Sequence, residues 1–398
     1  MKPNVEAALP WALIGAASLG MFACTSSGTT RAPFLIDMAH DLSVSMPLVA
    51  NLVSLTATAW GVSSAIAGWL SDVMGRRLVL VASLFGLALT LVGQALADSF
   101  FWVAVWATIG GAFCGAFTAA AYAELSGRVP DAQRGRALGW VMSGQSLTLL
   151  VGVPMAAAVG SLIGWRGWLI CVGALSLIAT VAMAITVGRG SAGHMRGVVR
   201  PSIRDALSKR VIGLLTTGIF ERICYGLAVT YFAAFLQATY GLSLAELAIP
   251  LAIFAVGSVA GTVLGGQIAD RFRDRLMTFA VAMALSAVAA LVLFMWHPSA
   301  EISVALGFLY VLLNALGRPA YMAALANVPD DVRGTVLGLN SSSASIGWIG
   351  AAALGAAMIG WVGFEGFGPL AAVLAVLSAA GALAGRRAAR RTMGPKVT

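Results

Sequence analysis

Glu221 and Arg222 stand side by side in one apolar run of this chain, and Arg318 and Arg31 stand alone in two others. A carboxylate can take up and release a proton, and a guanidinium can hold a carboxylate or phosphate through parallel hydrogen bonds. An ionisable side chain in a membrane-spanning helix costs at least roughly 2.5–3.5 kcal/mol on insertion scales, so each of these four needs a reason to be there. One reason is chemical: Arg31, Arg222 and Arg318 give a water-filled cavity a positive potential that suits an anion, and Glu221 carries a coupling proton. The other is structural: Glu221 pairs with Arg318 or Arg222, and Arg31 extends along its own methylene stem to the outer interface. Adjacent helical residues point about 100° apart, so Glu221 and Arg222 cannot face the same spot equally. Arg166 differs, because it lies beside an outer turn and reaches water there.

Neutral polar groups in apolar runs add a second set. Tyr122 and Tyr321 lie 199 residues apart, and Asn314, Asn51, Gln145, Gln237 and Asn340 also fall among apolar neighbours. Such groups either hydrogen-bond a ligand or tie one helix to another. Trp60, Trp106, Trp140, Phe220 and Tyr225 wall an apolar pocket or simply pack. A catalytic reading has little behind it. The chain has no nucleophile–base constellation and no GxxxxGK[ST] loop, and Gly110–Gly111 lies inside a spanning run with no strand before it. No metal site is expected, since His40, His194 and His297 sit in loops or at helix ends. The four cysteines, Cys24, Cys114, Cys171 and Cys224, lack metal-ligand or CxxC spacing and read as small core fillers. No cofactor is implied.

The elements that must position these residues are membrane helices. Of 398 residues, 59% are hydrophobic and 10% charged, with a mean hydropathy of +0.90. Soluble domains carry about 25% charged residues, so this chain could not cover its surface in water. Apolar runs of about 20 residues recur, each long enough for a bilayer core of roughly 30 Å, and they lack strand-like alternation. The 46 glycines suit close helix packing in lipid. Spanning helices are predicted at 10–35, 46–70, 78–97, 99–125, 137–163 and 167–188. A second set is predicted at 211–238, 247–269, 276–296, 301–327, 335–361 and 366–386. The first run carries Glu6 ahead of it and continues too far for a signal peptide, so it reads as a spanning helix.

With an even number of spans and the N-terminus inside, inner loops and tails would hold all but four of the 25 Lys and Arg: Arg31, Arg166, Arg222 and Arg318. This satisfies the positive-inside rule and puts both termini in the cytoplasm. The net charge of +9 therefore reads as a topology signal and not as nucleic-acid binding. A Gly-rich basic stretch over 189–210 reads as a linker between 1–188 and 211–398. The two flanking segments repeat. VPDAQRGRALG at 129–139 matches VPDDVRGTVLG at 328–338, GWLSD at 68–72 aligns with GQIAD at 266–270, and HDLSV near 42 aligns with YGLSL near 242. The expected fold is an all-α membrane protein, twelve transmembrane helices in two pseudo-symmetric six-helix bundles.

These features resemble the major facilitator superfamily over essentially the whole chain. The first carrier is GWLSDVMGRR at 68–77, a loop with Gly68, Asp72, Gly75, Arg76 and Arg77. The resemblance implies a latch for the outward-facing state, with Glu124 at the inner end of helix four as a partner. Its second copy, at Gly266, Asp270, Arg271 and Arg275, is degenerate, with Arg273 opposite Gly75. The second carrier is GVPMAAAVGSLIGWRGW at 152–168, similar to the helix-five motif of the twelve-helix drug and metabolite efflux (drug:proton antiporter) branch. There Pro154 bends the helix, and Gly152 and Gly160 allow close contact with the opposite half. One departure is Trp106, where that branch usually has an arginine implicated in proton coupling. In the superfamily helices 1, 4, 7 and 10 line the cavity, which includes the helices of Arg31, Glu221, Arg222 and Arg318. The resemblance implies a monomeric, proton-coupled secondary transporter of a small organic solute in a bacterial inner membrane. Efflux by antiport is the first expectation, and uptake of an organic anion by symport the alternative. A non-transporting membrane sensor of the same fold is a third.

Overall fold

A computed structural model describes residues 9–129, 131–188, 207–272, 274–328 and 330–392. The 189–206 stretch, most of the linker expected from the sequence, lies outside the described residues. By Cα packing the chain divides into two units. Met1–Arg31 and Leu55–Gly197 form the first, and Ala32–Ser54 with Val198–Thr398 form the second.

The first unit contains helices α1 (Trp11–Thr29), α4 (Leu52–Met74), α5 (Arg76–Leu96), α6 (Phe100–Arg128), α7 (Asp131–Leu147) and α8 (Val153–Thr186). The short helices α2 (Leu35–Asp41) and α3 (Met46–Ala50) pack with the second unit. The sequence suggests one helix over 10–35, but α1 ends at Thr29 and a 3-10 turn covers Ala32–Phe34. Pro33 explains the break: it lacks an N–H, so the α-helical hydrogen-bond ladder cannot continue through it. The Ser26 carbonyl accepts both the Thr30 N–H at 3.2 Å and the Thr30 hydroxyl at 2.6 Å, and the Trp168 indole N–H donates to that same hydroxyl at 2.8 Å.

Within this unit α5 packs on α6 and α8, and α1 packs on α7 and α8. Small residues set the spacing between α4 and α6. A Cβ on Gly111 would come within 2.5 Å of the Thr56 carbonyl oxygen, and Ser64 donates to the Gly115 carbonyl at 3.1 Å. Two expected spans, 137–163 and 167–188, correspond to α7, a π-helical turn at Thr148–Gly152, and α8. Gly164, with φ 71° and ψ 174°, interrupts α8, a conformation essentially reserved for glycine. Arg166 does more than reach water here. It donates to the Ala95 and Ala97 carbonyls at 2.9 and 2.7 Å and lies over the Trp165 ring.

The second unit contains α9 (Lys209–Tyr240), α10 (Ala248–Arg271), α11 (Arg275–Met295), α12 (Ala300–Leu325), α13 (Asp330–Trp361) and α14 (Phe367–Thr392). Helix α9 packs on α12, α13 and α14, α10 packs on α12, and α11 packs on α12 and α14. Of the most apolar window of α9, 83% is buried inside the protein, against 61% or less in the other long apolar helices. Glu221 and Arg222 on α9 are therefore surrounded mostly by protein groups. Helix α14 runs past the expected end at 386, which puts Arg387 on a helical extension.

Ten segments are long and apolar enough to cross a membrane among the described residues. Helix α1, diluted by Ser18, Thr25, Ser26 and Ser27, falls short of their apolarity, and Ala137–Thr186 counts once although Gly164 divides it. The count is consistent with twelve spans. No strand occurs among the described residues. Cys24, Cys114 and Cys224 are buried as core fillers, but Cys171 is exposed on α8. Its position faces away from the packed side of that helix, and the apolar sequence around it carries no sign of that.

Candidate substrate and coupling site

Three of the four intramembrane charges come together in the second unit. Glu221 on α9 has a side chain only 2% exposed. Arg318 on α12 grips one of its oxygens twice, with Nη2 at 2.8 Å and Nε at 3.2 Å from Oε1. The other oxygen faces Arg222, whose Nε is 3.9 Å from Oε2. That separation is an ion pair but too long for a hydrogen bond. Both guanidiniums are 19% exposed. The cluster therefore sets one carboxylate against two permanent cations and keeps a net charge of +1.

The two arginines are not equivalent. Arg318 spends its donors on Glu221 and stacks on the Tyr225 ring, with Cζ 4.3 Å from the centroid. Arg222 makes no hydrogen bond among the described residues, and its buried Nε lacks a partner. Its Cζ is 5.8 Å from the Tyr225 centroid. Its stem is pinned by α13, because a Cβ on Gly347 would fall within 2.6 Å of Arg222 Cγ. A buried donor left unmade costs about 1–3 kcal/mol, more when charged. Arg222 is thus a positioned, unspent fork, which is what a ligand anion requires.

The other expected binding residues lie elsewhere. Tyr321 is buried, its hydroxyl donating to the Leu214 carbonyl at 3.1 Å and to Asn340 Oδ1 at 3.3 Å, and its ring is against Phe279. Its repeat partner Tyr122 is half-buried on α6 and makes no hydrogen bond among the described residues. Asn314 is fully buried one turn before Arg318. Its amide N–H points at Met283 Sδ, 3.9 Å away, and Oδ1 has no partner among the described residues. Arg31 is 4% exposed and does not extend to an interface. It donates to Gln94 Oε1 at 2.8 Å and to Thr56 Oγ1 at 3.3 Å, inside the first unit. The Pro33 break is the reason: it ends α1 just ahead of Arg31 and turns the side chain toward α4 and α5.

The loop between α4 and α5 brings three of its expected residues to helix ends. Gly75 has φ 90°, a region that L side chains avoid, and it starts α5. Arg76 donates to the Ala123 carbonyl at 3.1 Å and lies 3.8 Å from Glu124, which also pairs with Arg128. Arg77 donates to the Ala184 carbonyl at 2.9 Å. Each arginine thus meets the C-terminal end of a helix, where cations are stabilised. Gly68, Asp72 and Asp270 have helical backbones, but their side chains lie outside the described residues. Arg271 is exposed at the end of α10.

The second copy is built differently from the expected pattern. Matching the starts of α5 and α11 pairs Arg76 with Arg275; Arg273, opposite Gly75 in the sequence alignment, lies outside the described residues. Arg275 donates to the Ala323 carbonyl at 3.2 Å, as Arg76 does to Ala123. No carboxylate follows there, since Ala324 stands near the place of Glu124. Asp274 instead pairs with Arg386 of α14 at 2.6 Å and caps α11 through Met277 N–H.

In the helix-five segment, the π-helical turn at Thr148–Gly152 immediately precedes Pro154. A proline ring collides with the carbonyl four residues earlier, and widening the turn relieves that collision. Gly152 faces Phe22 and Ser26 of α1, and Thr148 donates to the Phe22 carbonyl at 3.2 Å. Gly160 is buried. Tyr225, Trp348 and Ser258 were the site neighbours least legible in the sequence: Tyr225 reads there only as a pocket wall, and nothing in spacing joins it to Arg318.

Comparison with known proteins agrees with this architecture. The family model described as Major Facilitator Superfamily matches residues 17–220 and 214–396. The "Chloramphenicol resistance protein" of Streptomyces lividans is 26% identical over 311 residues, covering 73% of this chain and 79% of that protein. The "Uncharacterized MFS-type transporter YwfA" of Bacillus subtilis (strain 168) is 26% identical over 357 residues, covering 88% and 85%. A crystal structure of a bacterial homologue of the human lysosomal transporter Spinster superposes with a TM-score of 0.76 at 18% identity, covering 97% of this chain and 98% of that one. With two repeats matched to one family model and the same fold over nearly the full length, this chain belongs to the major facilitator superfamily and is a multi-pass membrane transporter.

Proposed function

We propose that this transporter is a proton-coupled carrier of a small organic anion, working by alternating access in a bacterial inner membrane as a monomer with both termini in the cytoplasm. The observation that carries the reading is Arg222, an unspent guanidinium beside the Glu221–Arg318 pair. Protonating Glu221 would raise the cluster from +1 to +2 and free Arg318 as a second fork. Proton and anion then favour each other's binding, and linkage makes that coupling reciprocal. Two ligands that bind together move together, so this geometry supports symport. Arg31 and Tyr122 of the first unit, and Tyr321 and Asn314 of the second, are each proposed as further substrate-binding residues. Gly68, Asp72, Gly75, Arg76, Arg77 and Glu124 are proposed as the gating latch, with Asp270 and Arg271 in its weaker copy. The working halves are proposed as 1–188 and 211–398, joined by the 189–210 linker.

A second reading has an observation of its own. The Gly152, Pro154 and Gly160 segment with its widened turn, and the likeness to a protein named for chloramphenicol resistance, favour efflux of a drug-like compound by antiport. The arginines are then structural. Proteoliposomes with a trapped pH dye separate the two. Co-movement of protons with a carboxylate, abolished in Glu221→Gln, supports the anion carrier. Proton counter-movement driven by neutral or cationic drugs, with carboxylates inert, rejects it in favour of efflux.

A further inference from the structure

We infer that the anion is an aryl carboxylate, whose ring packs on Trp348 while its carboxylate takes the free fork of Arg222; the inference rests on the anion-carrier reading. Trp348, on α13, is half-buried and meets the Tyr225 ring edge-on at 6.1 Å between centroids. Its indole N–H makes no hydrogen bond among the described residues. Glycines make the place for it. Gly226 on α9 lies beneath the indole, where a Cβ would come within 3.2 Å of Cε3, and Gly347 lets α13 approach the stem of Arg222. Trp348 and Arg222 are thereby brought to the same side of the α9–α13 contact, the indole one residue from the glycine that pins the arginine.

Tyr225 completes the arrangement without taking part in recognition. Its ring is buried, faced by Arg318 at 4.3 Å and Arg222 at 5.8 Å, and its hydroxyl is within 3.2 Å of Ser258. It is a positioning residue: it holds both guanidiniums on an aromatic face and presents Trp348 edge-on. Trp348 and Arg222 are the members left with unspent surface, one aromatic and one cationic. An indole prefers another ring to an aliphatic group of equal size, because edge and face carry opposite partial charges. An aliphatic acid would satisfy Arg222 alone.

The test is a binding comparison between benzoate and cyclohexanecarboxylate, which match in charge and nearly in size and differ in aromaticity. On purified wild-type protein in detergent, measured by titration calorimetry, benzoate should bind about 2- to 12-fold more tightly, the range set by one aromatic pair. In Trp348→Leu that ratio should fall to about 1, and Trp348→Phe should restore most of it. Gel-filtration profiles and melting temperatures establish that each variant is folded. Equal affinity of wild type for the two acids, or an unchanged ratio in folded Trp348→Leu, overturns the aryl inference and leaves the anion carrier standing. Binding of neither acid to wild type, with binding of a cationic or neutral compound, overturns both.

Discussion

Glu221 is held by two cations of different standing, and single substitutions separate their roles. Arg318→Ala leaves a carboxylate buried without its hydrogen-bonded partner, which costs about 3–5 kcal/mol. Arg222→Ala removes a 3.9 Å contact from a partly exposed side chain, worth about 1 kcal/mol or less. Thermal unfolding in detergent should therefore show a large drop for the first and a small one for the second, while carboxylate affinity falls at least tenfold in Arg222→Ala. The double variant Glu221→Gln/Arg318→Gln should recover much of the stability lost in Arg318→Ala, because the unpaired charge is gone. The pH dependence follows from the same charges. Anion affinity should rise as pH falls through the titration of Glu221, since the protonated cluster carries +2, and this dependence should vanish in Glu221→Gln. A flat profile in wild type would mean that Glu221 does not titrate with the ligand.

Helices here are interrupted where backbone chemistry demands it, and those places are testable. Gly75 at φ 90° and Gly164 at φ 71° have no atom within 4 Å of an added Cβ, so Ala at either position is opposed by conformation alone. Each substitution should cost about 1–3 kcal/mol in thermal unfolding. Gly15, inside α1 with equally open space and ordinary helical geometry, is the control. Gly15→Ala should be neutral or stabilising by up to about 1 kcal/mol. At the α11–α14 corner, the Asp274–Arg386 pair is part-exposed at both ends, with 37% and 27% of the side chains open. A double-mutant cycle there should return no more than about 1 kcal/mol. In Pro154→Ala the widened turn at Thr148–Gly152 should close to an ordinary α-helical turn, read as slower amide exchange over 148–154.

Over the whole molecule, two copies of one six-helix plan have diverged in charge. The second copy holds Glu221, Arg222 and Arg318, whereas Arg31, a buried charge of the first, has the neutral Gln94 and Thr56 as its hydrogen-bond partners among the described residues. The first copy has Glu124 between Arg76 and Arg128, and the second replaces that device with Asp274 and Arg386. Each repeat thus keeps excess positive charge inside the membrane, as a lone Arg31 in the first and as the Glu221 cluster in the second, and the glutamate-centred loop contact belongs to the first. Topology is open to a direct check. If both termini are cytoplasmic as proposed, a C-terminal fluorescent-protein fusion should fluoresce and an alkaline-phosphatase fusion at the same site should be inactive, since the positive-inside rule places the basic tail on that side. The opposite pattern would reverse the orientation.

Membrane class, helix positions and the internal repeat were legible in the chain alone, because apolar run length and charge segregation are local properties that a bilayer reads directly. The expected ends at 78–97 and 276–296 agree with α5 and α11 to within two residues. Gly75 and the paired arginines after it were also legible, since a positive-φ turn and a cationic helix start are matters of residue type. The interruptions inside runs were harder. Pro33 and Pro154 flag them, but whether a chain answers proline with a break at Thr30 or a π-turn at Thr148 depends on what packs alongside. Partner choice was legible only as far as two candidates for Glu221, Arg318 and Arg222. Glu221 is adjacent to Arg222 in sequence yet bonded to Arg318 on another helix, because the 100° step between neighbours turns Arg222 toward α13 while α12 brings Arg318 to the carboxylate. Types of residue fixed which charges the membrane would contain, and helix packing assigned one arginine to the glutamate and left the other open.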